Sequence, residues 1–222
     1  MISFLISAIK IIFLLGFLIG IHETGHFLIA KLCKVRVNEF AIGFGPVIWK
    51  KQGKETKYEL RLIPLGGFVN MEGEAEQSEK EGSFTKASIP RRIAIVAAGA
   101  LVNIIFAIIV YFILAMTVRG NITNAVVGNR VLDADDFGNR LYFASYNTKE
   151  FMLSIAESVK QLFTGKVSSA ELVGPVGISE VVAKTNGFRE FIYILSAISI
   201  SLGVTNLLPF PPLDGGKIVL IL

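Results

Sequence analysis

Residues 93–118 run for 26 positions without a charged side chain. A helix needs about 20 apolar residues to cross the hydrocarbon core of a bilayer, so this run can span with some tilt. Two comparable stretches lie on either side of it. One covers about residues 4–30 and contains Lys10; the other covers residues 191–213 and has no charge. The chain is 52% hydrophobic with a mean hydropathy of +0.60, which is more apolar than soluble domains usually are. These features predict an α-helical integral membrane protein with about three transmembrane helices. Lys10 leaves two registers open for the first. Either it snorkels and the span begins near Ile11, or the span starts earlier with Lys10 off-centre. The start Met1-Ile2-Ser3-Phe4-Leu5 lacks a basic n-region and a small-residue cleavage site, so the first span is expected to be retained. The single cysteine, Cys33, cannot form an intrachain disulfide.

Both histidines of the chain fall in His22-Glu23-Thr24-Gly25-His26, inside the first apolar stretch. On a helix, residues four apart share a face, so both imidazoles can point at one ion. The H-E-x-x-H spacing is the signature of zinc hydrolases. Glu23 sits one step round the helix, where it can reach a water at the ion without being a ligand. Two histidines falling by chance on a surface helix is the plainer reading. It fits poorly with Ile11–Ile21 before the motif and Phe27–Ala30 after it, because ionisable groups in such a run are costly in lipid and usually functional.

With no third histidine, a carboxylate must complete a ligand set. The 191–213 run ends in Asn206, Pro209, Pro211 and Pro212, followed by Asp214-Gly215-Gly216. Prolines break a helix, and freed backbone groups in a membrane are tolerated only against protein or a water-filled cavity. Asp214 is therefore the expected third ligand, with Glu39 and Asn206 as the next candidates. In the middle run, Gly99 and Ala100 allow close helix approach. Asn103 either packs between helices or meets the site.

Charge distribution gives an orientation. Residues 31–92 carry 12 Lys or Arg, whereas 119–187 carry seven. The positive-inside rule then puts the 31–92 loop in the cytoplasm and the N-terminus outside. Val47-Ile48-Trp49 and Tyr58–Leu62 read as strands joined by a turn at Gln52-Gly53-Lys54, and Pro64-Leu65-Gly66-Gly67-Phe68-Val69 breaks and resumes the pattern. Such a loop, over about 38–71, is either a stiffener or an edge strand that pairs with an extended peptide. The glutamates of 72–82 suggest a solvated, mobile stretch. Residues 119–148 read as a loop, with Asn121, Asn124, Gly128, Asn129, Gly138 and Asn139. A helix with an apolar stripe is expected from Lys149 to Gly165, either lying on the outer leaflet or packing on the protein.

Five motifs in order resemble the site-2 protease family, of the bacterial regulator-of-sigma-E-protease type. They are the H-E-x-x-H, Gly43-Phe44-Gly45-Pro46, Pro64–Val69, Gly174-Pro175-Val176-Gly177, and Asn206–Gly215. The resemblance implies a Zn2+ endopeptidase of the cytoplasmic (inner) membrane that cuts single-pass membrane proteins in regulated intramembrane proteolysis. It implies His22, His26 and Asp214 as metal ligands and Glu23 as the base. Asn206 and Pro209 resemble positions that hold substrate, and Gly66, Gly67 and Phe68 resemble the membrane-associated β-loop that presents substrate as an added strand. Asn103 or Asn206 would hydrogen-bond the oxyanion or the substrate backbone. Expected partners are the bilayer and single-pass membrane proteins, with no nucleic acid.

Three departures from the family pattern stand out. Gly99-Ala100-Leu101-Val102-Asn103 has Ala where Pro is frequent. Residues 119–148 are too few for the usual PDZ domain, since domains rarely fold alone below about 40 residues, so a short external segment 119–187 stands in its place. The further span expected after Asp214-Gly215 is missing before Leu222, as a truncation would leave it. Two other classes compete: a membrane metal-ion carrier, which has no need of Glu23, and an inactive relative that binds membrane helices.

Overall fold

The computed structural model describes residues 2–118, 125–127, 130–164 and 175–222. In chain order the elements are α1 (Ile2–Leu32), β1 (Val37–Gln52), β2 (Lys57–Met71), α2 (Ile89–Met116), β3 (Ala125–Val127), β4 (Arg130–Leu132), α3 (Phe137–Phe163), α4 (Pro175–Ala183), α5 (Phe188–Asn206) and α6 (Asp214–Ile221). They divide into two compact units, one of Met1–Ile104 with Ser201–Leu222 and one of Ile105–Ile200.

Among the described residues, three helices are long and apolar enough to cross a membrane: Leu5–Leu32 within α1, then α2 and α5. Only 17% of the most apolar window of α1 is buried inside the protein, so its large side chains need another apolar medium. On α2 the exposed residues Leu101, Ile105, Ile109 and Ile113 recur every fourth position and form one outward stripe. The second helix begins at Ile89, ahead of the charge-free run. Pro90 in its first turn sacrifices no helical hydrogen bond, so the helix extends back through Arg91 and Arg92. The third helix ends at Asn206, not at Leu213, because Pro209, Pro211 and Pro212 cannot continue it.

The hairpin is longer and more folded than its alternation predicts. β1 and β2 pair antiparallel at 39–42 with 67–70 and at 49–52 with 57–60, yet Glu39, Phe40, Ala41 and Ile42 each have a second partner in 57–60, in a register that rises in both strands: Phe40 faces Val69 on one side and Tyr58 on the other. Each strand is bent double, and the sheet reads 67–71, 39–42, 57–60, 49–52 across its width. β1 bends at Gly43 (φ 93°) and Gly45 (φ 79°), conformations open to glycine but not to most side chains. A Cβ on Gly43 would also lie 2.8 Å from the Ile63 carbonyl oxygen. β2 runs unbroken through Pro64-Leu65-Gly66 but changes partners there. The 67–71 run pairs on one edge with β1, and no described strand takes its other edge.

α1 ends in a Schellman arrangement: Val35 N–H donates to Ala30 O at 2.9 Å and Lys34 N–H to Lys31 O at 3.0 Å. Lys34 occupies the left-handed position (φ 61°) where glycine is usual, at a cost of about 1–2 kcal/mol. Val35 and Ala30 then enter a core with Val37, Met71, Phe84, Ile95 and Val96. The acidic stretch after β2 is tied to this core rather than free. Glu72 is bound by Asn38, Ser78 and Lys80, and Phe84 N–H donates to Glu72 O at 2.7 Å, so the chain folds back to bury Phe84. Glu76, Glu79 and Glu81 remain exposed.

In the second unit, α3 starts at Phe137, twelve residues before the expected Lys149. Its N-cap is Asp136, whose carboxylate accepts from Asn139 N–H at 2.9 Å. The β3–β4 hairpin also lies in the segment read as loop. Tyr111 stacks on Phe151 with ring centroids 4.2 Å apart. Asn121, Asn124, Gly128, Asn129, Gly165 and Gly174 fall outside the described residues.

Candidate metal centre

α1 carries His22 and His26 on one face, one turn apart. α6 begins with Asp214, brought back by the non-helical Leu207–Leu213 link after α5. Asp214 Oδ2 lies 3.0 Å from His22 Nε2 and 3.3 Å from His26 Nε2, and the two Nε2 atoms are 3.2 Å apart. Both histidines are 9% exposed. Burial by itself would raise the Asp214 carboxyl, but the two imidazoles outweigh it and hold the group well below the usual carboxylate range.

The three atoms fit a divalent ion. Zinc with nitrogen or oxygen ligands at about 2.0–2.1 Å in a tetrahedron has ligand–ligand edges of about 3.3 Å, close to the separations seen. Proton placement agrees. His26 Nδ1 is 2.8 Å from Ile95 O, and a carbonyl only accepts, so Nδ1 carries the proton. In the neutral ring the lone pair of Nε2 then faces a carboxylate, which is repulsive until a cation stands between them. His22 Nδ1 lies 3.4 Å from Nδ2 of the buried Asn103 amide. An amide oxygen turned toward that nitrogen would give His22 the same tautomer.

α2 comes close enough to supply these contacts because glycines face each other. A Cβ on Gly25 would lie 2.6 Å from Ala98 O, and one on Gly99 would collide with both imidazoles, 2.8 Å from His22 Nε2. Glu23 faces a cavity of about 220 Å³ lined by His22, His26, Asp214, Gly67, Phe68 and Lys217, among others. Opposite Glu23 is the open edge of β2; a Cβ on Gly67 would come 2.9 Å from Glu23 Cγ. Lys217 pairs with Glu74 at 3.1 Å; burial opposes its charge, but Glu74 more than offsets that and raises the ammonium above its ordinary value.

The sequence-predicted residues therefore separate. His22, Glu23, His26, Asp214, Gly67 and Phe68 meet at one cavity. Asn103 touches the far side of the His22 ring. Gly66 abuts the Phe44 ring, Asn206 ends α5 half-buried, and Pro209 is exposed; none of these three lines the cavity. Gly99, Glu74 and Lys217 were not anticipated as site residues. The signal for Gly99 was that of a small residue allowing close helix approach, and nothing in the local sequence marks the Glu74–Lys217 pair.

These features define a membrane protein with a buried three-residue constellation able to hold a metal ion and an acid beside it. The profile of peptidase family M50 matches residues 10–222, and the chain belongs to that family. A Fusobacterium nucleatum protein named "Putative zinc metalloprotease" is 30% identical, over 99% of this chain and 88% of its own length. That alignment runs 302 positions, longer than this 222-residue chain, so the relative carries residues without a counterpart here. A Clostridium acetobutylicum protein of the same name is 31% identical over 93% of this chain and 84% of its own. The regulator of sigma-E protease RseP of Escherichia coli is 43% identical over 51% of this chain and 26% of its own.

Proposed function

We propose that this chain is a zinc-dependent intramembrane endopeptidase that cuts single-pass membrane proteins within the bilayer of the cytoplasmic membrane. The observation that carries the reading is the meeting of His22, His26 and Asp214 beside Glu23 and an unpaired strand edge. The names of the relatives make zinc the expected ion. Zinc held by His22, His26 and Asp214 would polarise the scissile carbonyl and make water acidic enough to ionise near neutral pH.

The chain's own residues do the rest. Glu23 accepts the proton of the attacking water and passes it to the departing amine nitrogen. Ile95 O holds the His26 ring in the orientation and tautomer that ligation needs, and Asn103, with its amide oxygen turned to Nδ1, would do the same for His22. Gly67 and Phe68 offer the free edge of β2 to a substrate segment that has left its helix, so that the freed N–H and C=O groups find partners within the membrane. Asn206 and Pro209 would touch the same segment outside the cavity. In the proposed topology the 31–92 loop is cytoplasmic and residues 119–187 lie on the outer side.

The test is cleavage of a single-pass membrane substrate by the purified chain in lipid, with and without a chelator and with Glu23→Gln. Cutting that stops with the chelator and returns with Zn2+ supports the reading. Cutting that survives both the chelator and Glu23→Gln refutes it.

A further inference from the structure

A second cavity, of about 720 Å³, opens where α1 ends and α2 begins and shares no residue with the metal centre. Its walls hold Lys31, Lys34, Arg36, Lys86 and Arg91 against Glu55 and Glu81. Part of that charge is engaged internally: Lys31 pairs with Glu55 at 2.6 Å and Lys86 with Glu79 at 3.1 Å. Lys34, Arg36 and Arg91 are exposed and take part in no ion pair among the described residues. Three like charges gathered in one concavity repel one another, and a bound anion relieves the repulsion.

Two further observations say which anion. The cavity lies where two apolar helices give way to charge. Leu28 and Leu32, in the last turns of α1 with Lys31, and Ile89, two positions before Arg91 at the start of α2, are 51%, 77% and 45% exposed, an apolar rim at the ends of the first and second candidate spans. Lys34 also stands in the left-handed position at the end of α1, where glycine would be unstrained. Strain kept at a non-glycine residue suggests that the side chain is needed there.

We propose that this cavity binds the phosphate headgroup of an anionic phospholipid, with the acyl chains lying along Leu28, Leu32 and Ile89. Phosphate is the shared chemistry of a lipid headgroup and a free ion. The rim selects the lipid, because a free ion gains nothing from exposed leucine and isoleucine at the ends of two spans. Basic pockets between spans on the cytoplasmic side suit such headgroups, at about 1 kcal/mol per Lys or Arg, or about fivefold in affinity each.

The experiment reconstitutes the full chain in phosphatidylcholine bilayers with a minority of phosphatidylglycerol and counts retained lipid by native mass spectrometry. Retention should favour phosphatidylglycerol. Lys34→Gln/Arg36→Gln/Arg91→Gln should lower that preference at least tenfold. Lys50→Gln/Lys51→Gln/Lys54→Gln, which removes equal charge from the hairpin, should leave it within twofold. Inorganic phosphate should not displace the lipid. Lys34→Gly checks that folding is not the cause: it should weaken retention without lowering the thermal midpoint. Equal loss in both triple variants would reduce the effect to general surface charge and overturn the site. Displacement by inorganic phosphate, or full retention in the first triple variant, would overturn it as well.

Discussion

Glu23 and Asp214 both bring a carboxylate to the cavity, but only Asp214 touches the imidazoles. Their amide variants should therefore fail differently. Glu23→Gln keeps the three converging atoms, so zinc content should stay near one per chain while cleavage stops. Asp214→Asn removes the charge that offsets the ion, so metal affinity and activity should both fall, by roughly 10–100-fold or more. Zinc content and cleavage rate of both variants decide it; an Asp214→Asn protein with full zinc and normal turnover would move the third ligand elsewhere. Gly99→Ala should also lose zinc, because its methyl would occupy the space of both rings, yet the helix-favouring residue should not unfold α2. Full zinc in Gly99→Ala would show that the α1–α2 approach is looser than described. The histidines and Glu23 were legible in the sequence because helical spacing fixes which residues share a face. Gly99 was legible only as a small residue that lets helices approach; that it makes room for His22 and His26, 77 and 73 positions earlier, leaves no local pattern.

At the scale of elements, β2 matters for how closely it approaches α1. Gly67→Ala places a methyl 2.9 Å from both Glu23 Cγ and Ala41 O, so the strand must back away from the acid. Cleavage should fall by about tenfold or more with zinc unchanged, in keeping with the sensitivity of catalysis to small misplacements; an unchanged rate would dissociate the strand edge from catalysis. The segment after β2 has its own lock. Hydrogen bonds from Ser78, then Asn38 and Lys80, bring the Glu72 carboxyl down to about 2. A depressed folded pKa means that the contribution is complete above the ordinary value of 4.5 and is lost as pH falls through about 2. Amide exchange around Phe84 should therefore speed up over that window in the wild type and be fast throughout in Glu72→Gln. No difference between the two would show that the core holds this segment without Glu72. The same bonds explain why the sequence reading of this stretch as free and solvated missed its fold: charge density is visible in sequence, whereas a partner such as Asn38, 34 positions away, is not. α3 was under-read for a related reason. Phe137 to Thr148 mixes polar and apolar residues without a clean stripe, and the legible signal was the capping Asp136.

For the whole molecule the question is where the site sits in the bilayer. α1 is continuous through both histidines, so a rise of about 1.5 Å per residue applies. Lys10 and Lys31 are then about 32 Å apart along the axis, close to the hydrocarbon thickness of about 30 Å. On that register His26 lies about 8 Å and His22 about 14 Å inside the Lys31 end, below the surface but on the side of the 31–92 loop. Gly67, Phe68, Glu74 and Lys217 line the same cavity as those histidines, so the β1–β2 hairpin and the start of α6 share that side. In the topology proposed above, the basic excess of the loop would make that side cytoplasmic. A reporter inserted at exposed Glu76 should behave as cytoplasmic, and one at Asp135, in the turn before α3, as external. The two readouts are linked through α2, the span between them, so they should invert together or not at all. Inversion of both would place the metal centre on the outer half and turn the open edge of β2 toward substrates entering from outside. The same result on both sides would mean that α2 does not cross, and the three-span reading would fall with it.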